Sequence, residues 1–273
     1  MKVFLFGSTG MLGNYISKYF NEKDYDIVSF SRDYFDVSEV ENHHLLENLL
    51  KDNGAKKGDF VINCAGTIKP RVDELGDLNA IIVNSVFPHN LAKTCKELDL
   101  SMIHITTDCV FSGERGEYVE SDEHDARDVY GKTKSLGEPS YCMNIRTSII
   151  GEEFGQHRSL VEWVKSRKNK DANGFVNHDW NGVTCLELSK LINFLIKNNI
   201  TWYGTKHIHS PESVNKYELL SIINEVYDLN IDIKKVKADS VIDRTMSSEY
   251  IPFYDIQTIE KQIKEMKEFY YEK

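Results

Sequence analysis

The sequence predicts an α/β fold: a doubly wound parallel sheet with a smaller C-terminal lobe. Short apolar runs alternate with segments of helical period over the first 150 residues. A glycine turn follows the first apolar run directly, at residues 7–13. The length, 273 residues, suffices for one large α/β domain carrying a small lobe.

Each element has its own signal. Lys2 to Phe6 is a short apolar run, hence a buried strand. Met11 to Phe20 places Leu12, Ile16, Tyr19 and Phe20 at helical spacing. Asp26 to Phe30 reads as the second strand. Val37 to Leu50 carries a helical stripe of Val40, Leu45, Leu46, Leu49 and Leu50. Asp59 to Asn63 is the third strand, Leu78 to Leu98 a long helix, and Ser101 to Ile105 the fourth strand. Residues 112–125 are rich in glycine and acid and read as a loop. Arg127 to Glu138 returns to helix, and Tyr141 to Ile145 is a fifth strand. Strands separated by helices imply right-handed crossovers and a parallel sheet.

Beyond residue 150 the rhythm loosens. Ser159 to Lys168, Cys185 to Lys197, Tyr217 to Tyr227 and Ile256 to Phe269 read as helices, with a polar stretch at Asn173-Gly174. A domain over 1–150 is expected to bind the cofactor, and 151–273 to form mainly a substrate lobe, with the chain returning to the sheet near 206–209.

Composition narrows the function classes. Hydrophobic residues at 41% and charged residues at 28% describe a soluble globular chain. A net charge of -10 repels phosphate backbones and argues against nucleic acid as a partner. No apolar run is long enough to span a bilayer, and the first strand leaves no room for a signal peptide. The five cysteines, Cys64, Cys95, Cys109, Cys142 and Cys185, are odd in number and form no C-x-x-C pair. Reduced thiols in a cytoplasmic protein are expected. His43-His44 and His207-x-His209 lack carboxylate or cysteine company, so no metal is assigned.

Gly7, Gly10 and Gly13, with Thr9, Met11 and Leu12 between and beside them, follow a strand and open a helix. This is the setting of a Rossmann-type dinucleotide turn. There the first glycine permits the turn, the second admits the pyrophosphate, and the third lets helix approach strand. The helix N-terminus offers free N–H groups to phosphate. The spacing is G-x-x-G-x-x-G. The second strand ends Ser29-Phe30-Ser31-Arg32, with no acid before Asp33. An acid at that point would hold the ribose 2′-OH of NAD, whereas Ser31 and Arg32 suit the 2′-phosphate of NADP. NADP is therefore expected, NAD less so. Asp36, ahead of Val37, can accept from the adenine or cap a helix. Cys64, Ala65 and Gly66 close the third strand with small side chains that leave space for a cofactor or serve packing.

Tyr130 and Lys134 lie one helical turn apart, on one face. Tyrosine titrates near ~10, and a neighbouring ammonium together with the charge of an oxidised nicotinamide is expected to lower that value. Tyr130 would then exchange a proton with a carbonyl oxygen while hydride arrives at carbon. The Thr107 hydroxyl, closing the fourth strand, would orient the same oxygen.

With these residues assembled, the chain resembles the extended short-chain dehydrogenase/reductase superfamily, and within it the dTDP-4-dehydrorhamnose reductase family. The likeness rests on Thr106-Thr107-Asp108-Cys109-Val110-Phe111-Ser112-Gly113, on Tyr130 to Glu138, on Asn144 to Ser148 and on Val83-Asn84. It implies NADPH-dependent reduction of the 4-keto group of a dTDP- or UDP-linked 6-deoxyhexulose, the final step in making an activated L-rhamnose-type sugar. The sugar can carry an acetamido group. Thr107, Tyr130 and Lys134 would be catalytic. Gly7, Gly10, Gly13, Ala65 and Lys134 would touch cofactor, and Thr107, Asp108, Cys109 and Val110 substrate. Cys109 replaces the family's aromatic and reshapes the sugar pocket. Trp180 stands in a substrate loop, where it stacks on a base or packs inside. Arg244 replaces an Arg-Pro pair and meets a phosphate or solvent. An epimerase or dehydratase is the second enzymatic reading. Some members of the family serve as regulatory subunits, as with methionine adenosyltransferase. Dimers are common in the superfamily, which leaves a homodimer open.

Overall fold

A computed structural model describes residues 1–39, 43–153 and 159–271. Val40, placed above in a helical stripe, lies outside the described residues. The elements run β1 (Lys2–Phe6), α1 (Met11–Asn21), β2 (Asp26–Phe30), α2 (His43–Asp52), β3 (Phe60–Asn63), α3 (Lys69–Leu75), α4 (Asp77–Ile81), α5 (Phe87–Glu97), β4 (Ser101–Thr107), α6 (Val129–Leu136) and β5 (Met143–Thr147). The second half adds β6 (Ile149–Ile150), α7 (Leu160–Lys165), β7 (Asp171–Phe175), β8 (His178–Trp180), β9 (Val183–Thr184), α8 (Cys185–Lys197) and β10 (Gly204–His207). It closes with β11 (Val214–Asn215), α9 (Lys216–Tyr227), β12 (Asp232–Val236), β13 (Ile242–Asp243) and α10 (Ile259–Tyr271). No helix among the described residues is long and apolar enough to cross a membrane.

The principal sheet has six parallel strands in the order β10-β5-β4-β3-β1-β2. The order reverses between β1 and β3, which opens a crevice beyond their carboxyl ends. Side chains on β1 alternate between two cores, as a two-residue period requires. Val3 and Leu5 join the face covered by α1, α8 and α10; Phe4 and Phe6 join the face covered by α2 and α5. The first core also contains Leu188, Ile223 and Met266, so it runs through both halves of the chain. In the smaller lobe, β7 pairs in parallel with β12, and β8 lies between β11 and β13.

Two expectations need correction. The helix expected over Val37 to Leu50 is a 3-10 turn at Val37–Glu39 and then α2. Asp36 makes that turn, accepting hydrogen bonds from the Ser38 N–H and hydroxyl at 2.9 and 2.7 Å. The long helix expected over Leu78 to Leu98 is α4, a π-helical turn at Ile82–Val86, and α5 with Pro88 in its first turn. The polar stretch at Asn173-Gly174 is strand β7. Gly174 is needed there, because a Cβ would stand 2.6 Å from the Tyr217 Cα.

Candidate active site

The glycine turn is built by sterics. Gly7 has φ +76°, and a Cβ there would stand 2.6 Å from the Ala65 nitrogen. A Cβ on Gly13 would overlap the Gly7 carbonyl oxygen and lie 2.8 Å from the Ser8 Cα. Gly10 differs: its φ is -74°, and the nearest atom to a Cβ is the Gly7 oxygen at 3.4 Å. The protein therefore leaves space open at Gly10. The first turn of α1 has no side-chain cap and no acidic residue, so its N–H groups face the crevice uncompensated. Those features suit a pyrophosphate. Thr9 is exposed, Met11 packs towards Gly151, and Leu12 is buried in the core, so Leu12 offers a ligand only its backbone.

At the end of β2, Ser31 is half-buried and Arg32 exposed. Burial acts to raise the Asp36 carboxyl, but hydrogen bonds from Ser38 and the charge of Arg32 outweigh it and hold it below the usual range. Of the two roles left open for Asp36, capping is the one it performs here. Val37 packs on the second core. Past β3, Cys64 and Ala65 are half-buried and Gly66 exposed. Burial pushes the Cys64 thiol up to about 12, against the charge of Lys134.

Thr107, the last residue of β4, is buried; its hydroxyl donates to Asp108 Oδ1 at 3.0 Å and accepts from the Cys109 N–H at 3.1 Å. Helix α6 starts at its cap Asp128, which accepts from the Gly131 N–H at 2.8 Å and pairs with Lys69 at 2.8 Å. Gly131 lets α6 lie on the loop after β4, since a Cβ there would overlap the Cys109 carbonyl oxygen. This contact sets Tyr130 beside Thr107. One turn on, the buried Lys134 ammonium donates to the Ile105 carbonyl at 3.0 Å. Burial lowers its pKa to about 8, with Glu138 and Cys64 opposing.

The protein's own groups, without a nicotinamide charge, act against the expected lowering of the tyrosine. Burial, then Cys109, raise the Tyr130 hydroxyl above its ordinary value, and Thr107 opposes only in part. The surrounding protein has removed water from the phenolate, which favours the neutral phenol.

On the substrate side, burial raises the Asp108 carboxyl, opposed by Arg244 and by hydrogen bonds from Thr107, Cys109 and Ser148. Burial and then Asp108 push the Cys109 thiol up to about 12. Val110 is 0% exposed and packs with Phe111 and Tyr118. Trp180 is 6% exposed and donates its indole N–H to the Ser148 hydroxyl at 2.8 Å, so of its two readings the structure gives packing. Arg244 is not solvated: its Nε and Nη2 donate to the Phe111 and Ser112 carbonyls at 3.0 and 3.1 Å and brace the loop after β4.

Three contributors escaped the sequence reading. Asn84, inside the π-helical turn, accepts from the Thr67 N–H at 2.8 Å and donates to the Thr67 carbonyl and to Thr133 Oγ1 at 3.0 and 3.2 Å. It clamps the loop after β3 to the helix that carries Tyr130. Ser148 links Trp180 to Asp108, and Lys216 faces the same carboxylate. The Val83-Asn84 and Asn144 to Ser148 likenesses marked Asn84 and Ser148 without their roles; nothing local marks Lys216. Among the described residues no cluster of three or more metal-ligating side chains occurs.

A family model described as the RmlD substrate binding domain matches residues 1–248. Methionine adenosyltransferase 2 subunit beta of Xenopus laevis is 26% identical over 246 residues, covering 82% of this chain and 71% of that protein. The dTDP-4-dehydrorhamnose reductase of Mycolicibacterium smegmatis is 31% identical over 139 residues, 50% of this chain and 40% of that one. Among solved structures, a dTDP-4-dehydrorhamnose reductase of Bacillus anthracis in complex with NADP has a TM-score of 0.81 at 19% identity, over 97% of this chain and 98% of that one. The last likeness establishes a shared fold.

Proposed function

Since the chain belongs to the RmlD substrate binding domain family, we propose that it is an NADPH-dependent reductase of the 4-keto group of a nucleotide-diphospho-6-deoxyhexulose, linked to dTDP or UDP. The product would be an activated deoxysugar of the L-rhamnose type. One observation carries the reading: Tyr130 and the buried Lys134 stand one turn apart on α6, next to Thr107 at the end of β4 and beside the switch-point crevice. Relatives named dTDP-4-dehydrorhamnose reductase and dTDP-4-keto-6-deoxy-D-glucose reductase support it.

Gly7 and Gly13 hold the turn at which Thr9, Gly10, Met11 and Leu12 would present backbone to the pyrophosphate. Ser31 and Arg32 would take the 2′-phosphate, and Cys64, Ala65 and Gly66 would line the path towards the nicotinamide. NADPH, when bound, supplies the hydride. Thr107 orients the substrate carbonyl oxygen, and Tyr130 gives that oxygen its proton as negative charge develops. Lys134, fixed by the Ile105 carbonyl, places positive charge beneath the phenol and stabilises the phenolate left behind. The half-buried thiol of Cys109 borders the space for the sugar.

The test is NADPH oxidation, followed by absorbance, with dTDP- and UDP-linked 4-keto-6-deoxysugars made in situ by a dehydratase. Tyr130→Phe should bind NADPH as wild type does and lose on the order of 10²–10⁴ in turnover. Undiminished reduction by that variant would sink the mechanism.

A second reading, a regulatory subunit, is favoured by the methionine adenosyltransferase subunit relatives, which match over 82–84% of this chain. NADPH binding without turnover of any keto-sugar nucleotide would select it.

A further inference from the structure

We propose that Lys216 is a substrate-anchoring residue: its ammonium takes an oxyanion of the substrate, beside Arg244 and across from the Thr107–Tyr130 pair. The inference rests on the reductase reading above and adds to it a residue and a ligand chemistry.

Lys216 opens α9 and is held there by a capping box. The Asn215 side chain accepts from the Glu218 N–H at 3.0 Å, and Glu218 accepts from the Asn215 N–H at 2.9 Å. The lysine stem therefore leaves a rigid point. Its ammonium stands 5.7 Å from the centroid of the buried Trp180 ring, which Ser148 fixes from the other side. Asp108, Cys109 and Arg244 are the charged or ionisable groups that act on it, all in or against the loop that follows Thr107. It thus faces the substrate side of the crevice, far from the glycine turn.

Among the described residues that ammonium makes no hydrogen bond and no ion pair. Burial lowers its pKa, which measures the water it has already lost. A half-desolvated cation without a partner is costly, and a site that keeps one gains when an anion arrives. Arg244 acts on Lys216 as a like charge and on Asp108 and Asp128 as an opposite one. Asp108 already accepts from Thr107, Cys109 and Ser148, so it is not waiting for Lys216. Arg244 has committed Nε and Nη2 to the Phe111 and Ser112 carbonyls. Lys216 is thus the donor free to meet a ligand. Two sources supply such an oxyanion: the diphosphate of a nucleotide sugar, or a carboxylate on the sugar ring.

The experiment uses the full chain saturated with NADPH, so that the glycine turn is closed to added anions. Inorganic pyrophosphate, dTDP, UDP and glucuronate are titrated by calorimetry against wild type, Lys216→Met and Lys216→Arg. Lys216→Met should weaken the diphosphates about tenfold to a hundredfold, the loss of one charge-assisted hydrogen bond, and Lys216→Arg should retain most of the affinity. Methionine keeps the stem over Trp180, and unchanged NADPH affinity verifies that the variant is folded. A loss confined to glucuronate supports the same anchoring with a carboxylate as the source. Pyrophosphate binding that depends on Lys216, with no binding of dTDP or UDP, overturns the nucleotide-sugar reading and upholds the anion site. Equal affinities of wild type and Lys216→Met for every probe overturn the proposal, as does a wild type that binds none of them.

Discussion

Replacing Arg146 by methionine should destabilise the protein far more than any exposed substitution. Arg146 is 2% exposed on β5. Its Nε and Nη2 donate to the Glu138 carboxylate at 3.1 and 2.6 Å, Nη2 meets His124 Nε2 at 2.7 Å, and Nη1 meets His207 Nε2 at 2.8 Å. The guanidinium also stands 5.2 Å over the Phe111 ring. One side chain therefore joins α6, the loop after β4, and β10. Methionine keeps much of the volume but leaves Glu138 with only Thr106 and Thr205, at 2.9 and 3.2 Å, in a buried site. Breaking a buried pair by removing one partner costs about 3–5 kcal/mol, because the remaining charge has lost both water and partner. For a chain of this size that is about 5–9 °C in melting temperature. The assay is thermal melting at pH 7, with the Arg146→Met/Glu138→Gln double variant beside it. The double variant should recover a large part of the loss, since no buried charge is left unpaired. A single variant melting within about 2 °C of wild type, or a double variant no better than the single, would refute the reasoning.

His207 carries a pH consequence. Burial, then Arg146, lower its pKa from 6.5 to about 4, so the unfolded chain binds the proton first and stability falls as pH drops from 6.5 towards 4. At pH 5 this group should cost about 2 kcal/mol, and His207→Gln should remove that part of the slope in melts between pH 7 and 5; an unchanged slope would contradict it. Gly13→Ala should lower both melting temperature and NADPH affinity, since the added methyl overlaps the Gly7 backbone. Gly10→Ala, whose methyl would meet only the Gly7 oxygen at a contact distance of 3.4 Å, should melt near wild type and lose NADPH affinity alone; equal melting losses for the two would overturn the assignment of their roles. Arg32→Asp should shift preference from NADPH towards NADH, and an unchanged ratio of affinities would remove Arg32 from the 2′-phosphate site.

What the amino-acid order determined by itself is what short-range geometry encodes. The apolar run at 2–6 and the glycines after it specify strand, turn and helix; the constraint on Gly13 acts within a few residues, on Gly7 and Ser8, while that on Gly7 comes from Ala65 beyond β3. The helix at Cys185–Lys197 was legible to the residue from its period, with Thr184 as its cap. The Tyr130–Lys134 spacing put both on one helical face, and the structure places Thr107 against them. The polar partnerships were decided only by the tertiary structure. Arg146 meets His207 across 61 residues, and Arg244 reaches Phe111 across 133. The upward shift of the Tyr130 hydroxyl likewise came from enclosure. Asn84 clamps a loop to a helix only because a π-helical turn carries it there, and Lys216 comes near Asp108 only because the tertiary fold brings α9 to the substrate side. A hydrophobic pattern specifies which face of an element is buried. It leaves open which donors and charges meet once the faces close, and in this crevice those meetings set the proton, the anion and the reach of each side chain.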